Sequence, residues 1–168
     1  MAAIEIDTTG GAGQPGAAMG PLRRTFMKLA MKVITWVNLK LLTLSGDRIG
    51  YTFLGRNVVL LHTVGHKTGR QYRTPLFYMQ DGENVVLVAS RAGTSTHPAW
   101  LRNLEKSSFV EIQLRSGRQR MRGHIAKGEE REELWPKLIA MFDVWERIQE
   151  KSPRLFPVIV LEPESKYA

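Results

Sequence analysis

The chain of 168 residues contains no cysteine, which excludes disulfides, thiolate metal sites and cysteine nucleophiles. No run reaches the ~18 apolar residues that a membrane-crossing helix requires. The first twenty residues lack the basic start and apolar stretch of a secretory signal. The four histidines (His62, His66, His97 and His124) show no metal-ligand spacing and H-E-x-x-H is absent, so no metal site is expected. Aromatic residues make up only 8% of the chain, and few lie among the basic segments, where stacking platforms for nucleic-acid bases would be needed. There is no internal repeat and no alternation of strand with helix, which argues against a doubly wound sheet.

What is present is positive charge. The formal net charge is +8, unevenly spread: residues 45–127 hold 13 basic and 5 acidic side chains, whereas residues 128–168 hold 6 and 9. Such a field suits an anionic cofactor, an anionic membrane surface or nucleic acid, and charge alone does not choose among them. Residues 1–20 are rich in Gly and Ala and read as a disordered tail. From Pro21 to Leu44, apolar residues recur at spacings of three or four, among them Phe26, Val33 and Val37. The same segment carries five basic residues (Arg23, Arg24, Lys28, Lys32 and Lys40) and no acidic one. This predicts a basic amphipathic helix that packs on the rest of the protein, lies on anionic lipid, or does both.

Residues 45–168 read as one compact domain. An apolar run from Val58 to Val64 ends in a glycine-bracketed basic turn, Gly65-His66-Lys67-Thr68-Gly69-Arg70. The chain returns from Tyr72 to Met79, turns at Asp81-Gly82 and runs again from Val85 to Ala89. Strands are also expected over 109–115, 119–126 and 156–161, with helices over 97–106 and 129–142. Six strands with two or three flanking helices predict a mainly β fold, a small antiparallel barrel. The basic turn offers backbone N–H groups, a hydroxyl and cations together, which suits a phosphate or carboxylate. Its Lys67-Thr68-Gly69 is neither a Walker loop, since His66 replaces the glycine before the lysine, nor a serine-acylase motif, since no serine stands three residues before a lysine.

The turn G-H-K-T-G, followed by R-T-P-L, V-A-S-R-A-G and H-P-A-W-L-R-N-L, resembles the deazaflavin (coenzyme F420)-dependent nitroreductase family, which includes F420H2-dependent quinone reductases. The resemblance covers residues 58–163 in one register. It implies a split β-barrel of the FMN-binding type that passes a hydride from reduced F420 to a lipophilic acceptor, with a quinone as the expected one. Cofactor contacts carried over by the match are His66, Lys67, Thr68, Tyr72, Arg73, Thr74, Pro75, Leu76, Val88, Ala89, Ser90, Arg91, Ala99, Trp100, Leu101, Arg102 and Asn103. Lys67 and Arg73 are expected to reach one anion, and Ser90 to orient ring or substrate. Phe77, Phe142, Trp145 and Ile148 fall where the nitroreductase branch typically has tyrosines, which predicts an apolar acceptor pocket without hydroxyl donors. FMN is the alternative cofactor, and a basic nucleic-acid-binding barrel is the alternative without an enzyme. The expected location is the cytoplasm, with peripheral attachment at the inner face of the plasma membrane.

Overall fold

The computed structural model describes residues 52–53 and 55–167. The expected tail and basic helix over residues 1–44 lie outside the described residues. The strands are β1 (Thr52–Phe53), β2 (Arg56–Val64), β3 (Gln71–Asp81), β4 (Asn84–Val88), β5 (Phe109–Leu114), β6 (Gly117–Ile125) and β7 (Val158–Pro163). The helices are α1 (Ala99–Lys106), α2 (Gly128–Met141) and α3 (Val144–Glu150). All strand pairs are antiparallel. Six strands run β2-β3-β4-β7-β6-β5, and β5 pairs back with β2 through Leu61 and Ile112, which closes the ring. This closed antiparallel ring is the small barrel expected from the strand pattern. The two-residue β1, within what reads as a glycine-spaced connector, adds a short ladder to the start of β2.

Two cores share the sheet. Val59, Leu61, Val85, Leu87, Ile112, Met121, Ile159 and Leu161 fill the barrel, with Trp100, Leu101 and Leu104 of α1 packed in from one end. On the outer side, Val86, Val88, Val158 and Val160 meet Leu134 and Leu138 of α2 and Trp145 of α3. Strands β4 and β7 are therefore covered on both faces, which is why they read as unbroken apolar runs rather than alternating ones. Strand β6 is different: Arg118, Arg120 and Arg122 face water while Met121 points inward.

The acidic residues Glu129 and Glu130 open α2, where they complement the positive end of the helix dipole. The run of Phe142, Trp145 and Ile148, with its spacing of three, suggests one continued helix face. Instead the backbone breaks at Phe142 (φ −151°, ψ 87°), and Trp145 and Ile148 belong to the separate helix α3. The three side chains still share the outer core.

Candidate functional site

The β2–β3 turn closes on itself through backbone bonds. Gly65 N–H donates to Arg70 O (2.7 Å), and Gly69 N–H donates to Gly65 O (2.8 Å). Gly69 has φ +66°, the left-handed conformation that glycine adopts without cost. A Cβ at Gly65 would stand 2.6 Å from Thr68 Oγ1 and 2.7 Å from a Tyr72 ring carbon, so no larger residue fits beneath the turn.

One side chain ties this turn to α1. Asn103, 5% exposed, accepts the His66 backbone N–H on Oδ1 (3.2 Å) and donates from Nδ2 to Thr63 Oγ1 (3.2 Å). His66 Nδ1 lies 2.9 Å from the same Oδ1. An acceptor there requires the hydrogen on Nδ1. From sequence Asn103 looks like a helix-end residue or a ligand contact. Its bonds to positions 37 and 40 residues away have no sequence signature.

Between this turn and α1 lies a hollow of about 180 Å³ lined by Thr63, Gly65, His66, Lys67, Thr68, Tyr72, Thr74, Ala99, Trp100 and Asn103. Eight of those ten residues are cofactor contacts implied by the resemblance. Lys67 is exposed and, among the described residues, makes no ion pair. Thr68 Oγ1 and the Tyr72 hydroxyl lie 3.5 Å apart at the same place, and Trp100 supplies an apolar wall while packing in the barrel core. A cation and two hydroxyls at the rim of an apolar slot fit the anionic end of an extended cofactor. The volume is below the roughly 300–1,000 Å³ of a whole-ligand site, so the hollow can take only part of such a molecule.

Other implied contacts lie elsewhere. Arg73 stands opposite His62 in the β2–β3 ladder, on the strand face away from Tyr72 and Thr74. It opens onto a neighbouring hollow of about 470 Å³ with His62, Glu111, Arg118 and Arg120. The structure thus separates Arg73 from Lys67 by the strand's pleat, although both hollows share Thr63 and Asn103. In this second hollow burial lowers the His62 pKa, as do Arg73 and Arg118, against Glu111 and Gln113, which raise it. Val88, Ala89 and Leu101 are buried in the two cores, and Leu76 packs on the barrel core, so they offer a ligand little side-chain surface. Pro75 pairs with Leu60 in the ladder, and Arg102 is exposed on α1.

Ser90 and Arg91 belong to a loop, residues 90–96, that follows β4. Arg91 Nη1 donates to Thr96 Oγ1 and to His97 O (3.3 Å). Arg91 (φ 47°) and Ala92 (φ 52°) both take left-handed backbone angles. A Cβ at Gly93 would stand 2.7 Å from Ile148 Cγ2, so this loop is pressed against α3. The expected acceptor residues meet there: the Phe77 and Phe142 rings are 5.2 Å apart edge to face, and those of Phe142 and Trp145 are 5.4 Å apart. No hydroxyl belongs to this group. Among the described residues, no three His, Cys, Asp or Glu side chains gather as metal ligands.

A profile of the F420H(2)-dependent quinone reductases matches residues 37–163. The chain belongs to the F420H2-dependent quinone reductase family. A Mycobacterium tuberculosis protein provisionally named an F420H(2)-dependent quinone reductase is 35% identical over 105 residues, which cover 62% of this chain and 88% of that protein. A second M. tuberculosis protein, named an F420H(2)-dependent quinone reductase, is 39% identical over 69 residues, 40% of this chain and 46% of its own length. The solved structure of an F420-H2 dependent reductase (FDR-A) superposes with a TM-score of 0.58 at 29% identity, covering 62% of this chain and 93% of that one. Another, described as a domain-swapped dimer, gives a TM-score of 0.61 at 28% identity over 76% of this chain and 97% of its own. The matched residues 37–163 span the chain from His66 to Ile148.

Proposed function

We propose that this member of the family reduces a flat, apolar quinone with F420H2, and that the β2–β3 turn holds the cofactor's anionic end. The carrying observation is the gathering of Lys67, Thr68, Tyr72 and Trp100 in one hollow against α1. When bound, reduced F420 supplies the hydride, and the protein contributes geometry. Lys67 offers a point charge and Thr68 a hydroxyl, while Asn103 fixes the turn that presents both. Ser90 belongs to the loop pressed against Ile148, and its role in this reading is to orient cofactor and acceptor against each other. Phe77, Phe142, Trp145 and Ile148 form the apolar acceptor wall.

That wall favours quinones over nitro compounds. A nitro group desolvated there would lack a donor, at a cost of about 1–3 kcal/mol. The test is oxidation of F420H2 by a menaquinone analogue and by a nitroimidazole, beside binding titrations with F420 and FMN. Faster quinone turnover and preference for F420 are expected. Equal or faster nitro turnover would overturn the acceptor assignment, and tighter FMN binding would overturn the cofactor assignment.

The five basic residues between Arg23 and Lys40, with no acidic residue among them, support attachment at the inner face of the plasma membrane. Each contributes roughly 1 kcal/mol near an anionic surface. Four of the five precede residue 37, where the family match begins. Deleting residues 1–36 should therefore abolish co-sedimentation with anionic vesicles and leave F420 binding intact; unchanged sedimentation would refute the attachment.

A further inference from the structure

The loop after β4 is held by a residue that no motif singles out. Arg154 donates from Nε to Thr94 O (2.9 Å) and from Nη2 to Ala89 O (3.1 Å), Ser90 O (2.9 Å) and Thr96 O (3.3 Å). Its Nη1 donates to Leu155 O (3.3 Å). One planar guanidinium thus serves five carbonyls, four of them on the loop or the strand end before it, and no other side chain has the donors for this. The arginine is itself held. Its guanidinium carbon lies 5.2 Å from the centroid of the buried Phe156 ring. Gln149, at the end of α3, donates to Arg154 O (2.8 Å) and accepts the Phe156 N–H (2.7 Å).

Pinning a carbonyl also aims an amide. In a trans peptide the N–H points opposite to the C=O, so the N–H groups of Ser90 and Arg91 point away from Arg154. Ser90 is right-handed (φ −71°, ψ −39°) and Arg91 left-handed. That succession makes neighbouring N–H groups converge into a concavity that attracts negative charge. Among the described residues, no acceptor answers the N–H of Ser90, Arg91 or Ala92. Two non-glycine residues in the left-handed region are costly, and such strain persists only where surroundings impose it. Here the surroundings are Arg154 on one side and Ile148 on the other.

We propose that Arg154 is a positioning residue: through the carbonyls of the loop it keeps the N–H groups of Ser90, Arg91 and Ala92 convergent on an electron-rich oxygen of the bound cofactor or acceptor. This rests on the reading of Ser90 and Arg91 as parts of the site, and the experiment separates the two. Full-length ¹⁵N-labelled protein and its Arg154→Lys and Arg154→Ala variants are compared first without ligand. The backbone scalar couplings of Arg91 and Ala92 should lose their left-handed signature in both variants. Persistence of that signature in a folded variant overturns the proposal whether or not the protein binds F420. The second arm measures F420 affinity and turnover of a menaquinone analogue at saturating F420H2. Losing one charge-assisted contact corresponds to about tenfold. A tenfold loss of affinity assigns the oxygen to the cofactor, and a fall in kcat at unchanged affinity assigns it to the acceptor. Folded variants unchanged in both overturn the proposal. If Arg154→Ala fails to fold, Arg154→Lys and Gly93→Ala, which forces the loop off Ile148, decide by the same readouts. Failure of the wild-type protein to bind F420 would refute the proposed function instead.

Discussion

The turn at residues 65–70 lines the hollow against α1, the loop at 90–96 is proposed to turn its amides toward the same ligands, and the two are built in opposite ways. The turn closes through its own peptide bonds and places its left-handed angle on a glycine, Gly69. The loop places left-handed angles on Arg91 and Ala92 and takes its restraint from Arg154 and Ile148. A self-closed turn is specified by local residues and survives changes elsewhere. A braced loop stores strain that a distant change can release. The Lys67 side chain therefore stands on a stable platform, whereas the Ser90 peptide is only as well placed as the outer core behind it.

The largest expected effect breaks the brace from below. Phe156→Ala removes a fully buried ring from the outer core and should cost about 3–5 kcal/mol of stability. Denaturant unfolding measures that loss, and amide exchange should rise in residues 90–96 before it rises in residues 65–70. Simultaneous loosening of both would erase the distinction. Next, Lys67→Ala should weaken F420 binding by at most ~1.5–3 kcal/mol with stability within about 0.5 kcal/mol. An unchanged dissociation constant in the folded variant would remove Lys67 from the site.

Asn103→Ala tests the side-chain tie between the turn and α1. It strands the buried Thr63 hydroxyl and the His66 N–H, and about 1–3 kcal/mol of stability should be lost, read again by denaturant unfolding. A smaller effect sharpens the comparison with the opposite sign. Ala92→Gly relieves a left-handed alanine and should stabilise the protein by up to ~1 kcal/mol. The corresponding change in the turn, Gly69→Ala, should destabilise by a similar amount, and thermal melts of the pair check both signs.

The smallest effect concerns pH. Burial holds the His62 pKa below its usual 6.5 in the folded protein. Below about pH 6.5 the unfolded chain therefore binds more protons than the folded one, and stability falls as the pH falls. His62→Gln should flatten that acid limb between pH 6.5 and 5 while leaving stability above pH 7 with the same slope. An identical acid limb in the variant would show that His62 is not desolvated.

The six long strands were legible from apolar runs or polar–apolar alternation bounded by glycine and polar turns, and β1 was not because two residues carry no period. The break at Phe142 escaped because a spacing of three persists across it. The Lys67 turn could be read from its glycines and charges. The separation of Arg73 from that turn was also available, since strand alternation puts Tyr72 and Thr74 on one face and Arg73 on the other. The roles of Asn103 and Arg154 were not available, because their partners lie 37 to 65 residues away along the chain. Tertiary hydrogen bonds to a distant main chain or hydroxyl leave no pattern in side-chain order.

Strand β4 serves two masters by parity. Val85, Leu87 and Ala89 face the barrel, while Val86 and Val88 face the layer that carries Trp145 and Phe142. Even-numbered positions can thus be recoded to reshape the outer layer, where the acceptor wall is proposed, while the odd-numbered ones keep the barrel filled. The two alphabets interleave in one strand, so a library confined to one parity would vary the outer layer without rewriting the barrel.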